Sequence, residues 1–127
     1  MQTREQRYAS GVYQLLSREA FKDINYKNSY GSMAHKFPVL IRTAGLAQAL
    51  EFVNTRPETQ SAPKDLLRDL ALVIGYPNIQ ALLTASRTEP LGAYMRLTQE
   101  ALHALLWFKR YAQSVLKVED AIGVEDT

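Results

Sequence analysis

The stretch that most limits what this chain can become is Tyr30 to Val53, YGSMAHKFPVLIRTAGLAQALEFV. From Phe37 to Val53 every residue except Arg42, Thr43, Gln48 and Glu51 is apolar, Gly or Pro. Met33, Phe37, Leu40, Ala44 and Ala47 recur at helical spacing, while Val39, Leu46, Leu50 and Val53 fall on a different face. A helix that is apolar nearly all round is a buried one. The segment therefore predicts a central helix, from Ser29 or Ser32 to Asn54, with the others packed around it. Pro38 has no N–H and crowds the preceding turn, so a kink is expected between Ala34 and Pro38. Gly45 reads as a point of close helix approach. Spanning a membrane takes about 20 mostly apolar residues, and Lys36, Arg42, Gln48 and Glu51 break this run up.

A chain of 127 residues argues for one domain. There is no Cys, which removes disulfides, thiolate chemistry and any Cys-ligated zinc. That composition suits the cytoplasm, and the start MQTREQRYASG lacks the apolar run of a signal peptide. The net charge of +2 hides a segregation. All 15 Lys and Arg lie in residues 1–118 with nine acids, a surplus of +6, whereas residues 119–127 hold four acids and no base. The expected organisation is a helical bundle domain over 1–118 and a short, frayed acidic tail over 119–127. A modestly basic body is compatible with nucleic acid but does not establish it.

Five helices are expected, and no strand. Helix 1 covers about Arg4 to Ile24, with Thr3 and Gln6 forming a T-x-x-Q capping box. Tyr8, Val12, Leu15, Leu16, Ala20 and Ile24 form its apolar stripe, and Arg4, Arg7, Gln14, Arg18 and Lys22 lie opposite. Asn25 to Ser29 reads as a turn before the central helix. Asn54 to Pro63 is a polar surface loop. Helix 3 follows over about Lys64 to Ile74, stopped by Gly75 and Pro77, then a short helix 4 over about Asn78 to Ala85. Helix 5 is the longest, about Leu91 to Lys117, with an inward seam of Tyr94, Leu97, Ala101, Leu105, Phe108, Ala112 and Val115. Arg96, His103, Arg110 and Lys117 step by seven off that seam, a stripe about 31 Å long at 1.5 Å per residue.

No catalytic constellation is visible. The two histidines, His35 and His103, would have to converge to share acid–base work. No zinc-binding, phosphate-loop or dinucleotide motif occurs, so no metal and no cofactor is expected. Asp65 and Asp69, one turn apart beside Lys64 and Arg68, read as a solvated helix face. Tyr94 and Phe108 have core spacing, whereas Trp107 and Tyr111, one turn apart, read as a subunit interface.

Two segments together resemble one family. Tyr30 to Val53 has a polar start, a His–Lys pair, a proline and an apolar run into GLAQAL; Tyr94 to Ala112, YMRLTQEALHALLWFKRYA, carries T-x-E-A-L and then W-F-K-R-Y-A. They resemble the small subunit of the Cmr-module CRISPR effector, the type III-B RNA-targeting complex. Length and order of elements agree, and the specific match covers about a third of the chain. The resemblance implies an all-helical, non-catalytic subunit. Several copies would stack head to tail with other Cmr subunits along the guide RNA paired to its target, in antiviral defence. Contact with the RNA would go through the backbone, without reading sequence.

On that reading the candidate RNA contacts are Arg18 and Lys22 on helix 1, Lys36 and Arg42 on the central helix, and Arg96, Lys109 and Arg110 on helix 5. Lys36 and Arg42 are the only bases in an otherwise buried helix, so each must reach solvent or a partner. For Arg42 the alternative is an internal ion pair with an acid on helix 1 or 3. His103 adds charge only when protonated. Three competing readings stand beside this one: a helical assembly adaptor that touches only protein, a small RNA hydrolase using His35 or His103, and the small subunit of a related CRISPR effector type. An isolated copy is compatible with a monomer.

Overall fold

A computed structural model describes residues 1–57 and 59–118 of the chain. Thr3 opens α1 (Arg4–Leu15) through the expected capping box: its hydroxyl accepts from the Gln6 amide at 3.1 Å, and Gln6 Oε1 accepts from the Thr3 amide at 2.8 Å. The helix is shorter than expected. It ends at Leu15, Arg18 turns extended, and a single 3₁₀ turn (Glu19–Lys22) leads on. Phe21 is thereby turned into the core, edge-on to Tyr30 at 4.8 Å, while Ala20 and Ile24, expected on the apolar stripe, face solvent.

The central helix begins earlier than expected. Asp23 caps α2 (Ile24–Ala44), its carboxylate accepting from the amides of Asn25 and Tyr26. The turn expected over 25–29 is thus the first turn of this helix, because a side-chain acceptor at the cap outweighs the turn preference of two asparagines. Helix α2 runs on through Pro38 and ends at Gly45, after which α3 (Leu46–Asn54) starts. Gly45 has φ 88° and ψ 159°, a region essentially closed to residues with a Cβ. The expectation of burial all round needs correcting as well. Val39 and Phe52 are exposed, so α2 and α3 keep one face in solvent.

Three helices complete the fold: α4 (Ser61–Val73), α5 (Ile79–Thr88, capped by Asn78) and α6 (Leu91–Ser114). Among the described residues there are six α-helices and no strand, an all-α bundle with one helix more than expected because the central one is two. The core is contiguous. Val12, Tyr30, Phe37, Leu50, Leu66, Leu70, Leu105 and Phe108 are each completely buried. Helix α2 packs on α3, α4 and α6, with α1 laid across α4 and α6. Helices α2 and α6 run antiparallel: Tyr94 meets the end of α2, and Val118 lies over Gly31 near its start. Among the described residues no helix is long and apolar enough to cross a membrane. The segment expected as an acidic tail, 119–127, lies outside the described residues.

Gly45 supports a stability prediction. A Cβ there would sit at an ordinary 3.6 Å from Tyr94 Oη, so the cost of Gly45→Ala comes from the backbone and not from a clash. Urea unfolding should show a loss of about 1–3 kcal/mol. Tyr94 Oη also accepts from the Ala47 amide at 3.1 Å, covering an open donor of α3. Tyr94→Phe should cost less, about 1 kcal/mol.

Candidate nucleic-acid interface

A cation committed to a buried internal acid cannot also hold phosphate, so the pairing of each basic side chain bears on what it can do. Arg18 and Asp69 form the strongest internal pair. Asp69 is fully buried on α4, and the Arg18 guanidinium grips it with both arms, at 2.9 Å to Oδ1 and 2.8 Å to Oδ2. Tyr30 Oη donates to the same carboxylate at 2.6 Å. One helical turn away Tyr26 donates to Asp65 at 2.6 Å, and Arg68 pairs with Asp65 at 2.9 Å. The reading of Asp65 and Asp69 as a solvated face is therefore corrected: α4 turns Asp69 into the core, and the helix 1 side of the chain supplies the base that makes this tolerable. The internal ion pair considered for Arg42 is made by Arg18.

These groups titrate accordingly. Burial would depress the Arg18 guanidinium, but the hydrogen bonds and charge of Asp69 raise it. Tyr30 is raised well above its usual value by burial, then by the charge of Asp69 and its hydrogen bond. Tyr26 is raised by burial, then by the bond to Asp65.

The remaining candidates lie at the surface. Lys22 pairs with Glu19 at 2.9 Å where both side chains are more than three-quarters exposed, a contact of little energy. Lys36 is half-buried on α2. Arg42, Arg96 and Arg110 are exposed and Lys109 is half-buried. Among the described residues none of these four carries a hydrogen bond or an ion pair. The Gly45–Tyr94 contact brings the end of α2 beside the first turns of α6, so Arg42 and Arg96 share one end of the bundle.

The seven-residue stripe of α6 is shorter than expected. The helix stops at Ser114, and Lys117 sits beyond it with φ 61°, off the stripe. Arg96 to Arg110 spans about 21 Å. At its midpoint the N-terminus of α1 intervenes. Arg4 Nη2 donates to His103 Nδ1 at 3.2 Å, and Glu5 accepts from Trp107 Nε1 at 2.8 Å. Arg4 thus joins the stripe, a placement that only the packing of α1 on α6 reveals. Tyr111 stacks obliquely on Trp107 at 5.5 Å and meets Tyr13 edge-on at 5.6 Å, which leaves a partly exposed aromatic edge beside the cations.

The histidines do not work together. His35 is buried on α2, its Nε2 3.2 Å from the Val118 carbonyl, and His103 is exposed beside Arg4. Among the described residues no three His, Asp or Glu side chains come close enough to hold a metal ion.

Comparison with known proteins gives a consistent result. A family described as "CRISPR-associated protein (Cas_Cmr5)" matches residues 4–115, the span from the start of α1 to the end of α6. The "CRISPR system Cmr subunit Cmr5" of Thermus thermophilus is 45% identical over 117 residues, covering 92% of this chain and 99% of that protein. The crystal structure of a CRISPR-associated Cmr5 family protein, also from Thermus thermophilus, aligns with a TM-score of 0.82 at 46% identity, over 91% of this chain and 98% of that one.

Two outcomes follow from the buried network. Arg18→Met leaves the Asp69 carboxylate buried without its cation and should cost about 3 kcal/mol, the low end for a broken buried pair because Arg18 itself touches solvent. Lys22→Ala should stay within about 0.5 kcal/mol. Because Tyr26 and Tyr30 hold their protons more tightly folded than unfolded, their contribution is complete below the unfolded tyrosine value of about 10 and declines as pH rises above it. Unfolding measured against pH should show that alkaline decline, and Tyr30→Phe should flatten it.

Proposed function

The chain belongs to the Cas_Cmr5 family of CRISPR-associated proteins, and on that premise we propose that it is the small subunit of a Cmr-module, type III-B CRISPR effector complex. It acts there in antiviral defence without a catalytic role. Several copies stack with other Cmr subunits along the guide RNA paired to its target. Each copy holds the RNA backbone through a basic surface and reads no sequence.

The observation that carries the RNA reading is the division of labour among the cations. Arg18, which reaches to α4, and Arg68, on α4 itself, are paired with acids, whereas Arg42, Arg96, Lys109 and Arg110 have no such partner among the described residues. Unpaired Lys and Arg suit phosphate contacts that position a strand without specifying it. The distance from Arg96 to Arg110 matches roughly six phosphates at a strand spacing of about 3.4 Å. We assign backbone contact to those four, with Arg4 added and with Lys22 and Lys36 at the margin. Arg18 is left to the core, since its guanidinium is committed to Asp69. The non-catalytic part of the reading is supported by the separate engagements of the two histidines. The edge of Tyr13, Trp107 and Tyr111 favours a protein neighbour, since Trp and Tyr anchor interfaces. It is where the adaptor reading finds its support.

Labelled RNA, single-stranded and as a guide–target duplex, would be titrated with the chain and with the reconstituted complex at several salt concentrations, following anisotropy. The expected result is a negative log–log salt slope that becomes shallower by about 1.4 for single-stranded RNA in Arg96→Glu/Arg110→Glu, two phosphate contacts at about 0.7 each. An unchanged slope in the complex would leave the adaptor reading. Degradation of RNA by the purified chain, abolished by His103→Ala or His35→Ala, would overturn the non-catalytic assignment.

A further inference from the structure

Helices α2 and α3 leave a groove between them that the bundle does not fill. Met33, Val39, Leu40 and Phe52 supply its apolar lining and Arg56 its available cation, with Lys36, already engaged within the chain, at the rim, around a volume of about 350 Å³. Val39 and Phe52 are 43% and 48% exposed, unusual for large apolar residues on a central helix. The Arg56 guanidinium lies 4.8 Å over the Phe52 ring, and its Nε is buried without a hydrogen-bond partner. The groove continues along α2 to Ser29 and Gln60, a run of about 15 Å from Val39 to Ser29.

The occupant such a groove asks for is an extended segment with apolar side chains and negative charge. One segment of this chain has that composition. Residues 119–127 read EDAIGVEDT, two acidic pairs bracketing Ala121, Ile122 and Val124, with no base. In an extended strand Ile122 and Val124 fall on the same side. The five-residue step from Asp120 to Glu125 reaches about 17 Å, close to the length of the groove.

The point of departure decides whose groove it is. Val118 is held on α2: its amide donates to the Ala112 carbonyl at 2.8 Å, its carbonyl lies 3.2 Å from His35 Nε2, and its side chain fills the space over Gly31. A Cβ on Gly31 would come within 2.6 Å of it. At 3.6 residues per turn, Gly31 and Leu40 lie roughly 180° apart on α2. The chain therefore leaves each copy on the side turned away from that copy's own groove. One tail and one groove on opposed sides make a heterologous, head-to-tail pair.

We propose that residues 119–127 of one copy lie in the Met33–Phe52–Arg56 groove of the next. This deepens the stacking reading given above and rests on it. It names the segment that joins successive copies. Lys36, at the groove rim, is the one candidate RNA contact that the tail covers; Arg42, Arg96, Lys109 and Arg110 lie elsewhere.

A fluorescent peptide of residues 118–127 would be titrated with the full chain carrying Glu119→Gln, Asp120→Asn, Glu125→Gln and Asp126→Asn, so that its own tail does not compete. Saturable binding is expected, weakened about tenfold or more by Arg56→Glu or by Phe52→Ala in chains whose circular dichroism and Tm are unchanged. In sedimentation, the tail variant and an Arg56→Glu chain should each be monomeric, and their mixture should form a one-to-one dimer. No peptide binding, or binding indifferent to both groove substitutions, overturns the proposal. Self-association that survives Arg56→Glu keeps the stacking and discards the tail as its link. Peptide binding without dimer formation in the mixture means that each tail fills its own groove, which overturns the second copy as partner.

Discussion

The carboxylate of Asp69 is the group on which the arrangement of this bundle turns. A buried charge is costly unless it is paired and its remaining lone pairs are hydrogen-bonded. Here the network joins three separate parts of the chain: Arg18 between α1 and the 3₁₀ turn and Tyr30 on α2 both donate to Asp69 on α4. The bidentate geometry fixes direction as well as distance. It accounts for the early end of α1. The chain turns extended at Arg18, which lets the guanidinium reach Asp69 and brings Phe21 against the Tyr30 ring. Such a network is weak evidence for stability in itself, because an apolar replacement of equal volume could do as well. Its effect is on register, since a shift of any of the three elements would strand a buried charge.

The central helix is then tied to α6 at both ends, each time through a backbone irregularity. At one end Gly45 takes a conformation that ends α2 and lets α3 begin, and Tyr94 of α6 supplies the acceptor that the new helix start lacks. At the other end Lys117 takes a positive φ, Val118 folds back onto Ala112, and Gly31 leaves the room that the Val118 side chain needs. His35 belongs to this second junction. A histidine on an apolar helix face here serves the last described turn of the chain through its bond to Val118.

Helical periodicity made the class of the fold legible, and the core seam of α6 and the capping box of α1 are read directly from it. What periodicity does not carry is where a helix stops for tertiary reasons. Nothing local in Ser17–Arg18 announces a break, because its cause is a carboxylate some fifty residues away. Gly45 stood out in the sequence, but a glycine in an apolar run suits close packing as well as a positive φ, and only the backbone separates the two. Among the basic residues, exposure was legible for the stripe of α6, whereas pairing was not. Arg18 and Arg96 look alike on a helical wheel, yet one is bound to a buried acid and the other meets solvent. The aspartate at i−4 from Val73 could have been suspected on one count only: Asp69 sits between Leu66 and Leu70, on the apolar side of α4.

That difference in pairing also bears on how a subunit can be basic without being indiscriminate. Exposed cations at an end and along one edge of the bundle attract a phosphate backbone at a range limited by salt to about 8–10 Å. Paired cations inside it contribute almost nothing at that distance, since each carries its counter-charge with it. The effective positive surface is therefore smaller than the count of 15 Lys and Arg implies, and it is directional. On the proposed reading, a weak, directional field would give each copy little affinity for RNA alone, while several copies held in line would multiply it through effective concentration. Affinity built this way depends on how the copies are joined. In such an assembly the contacts between neighbours, more than any single arginine, set how firmly the strand is held.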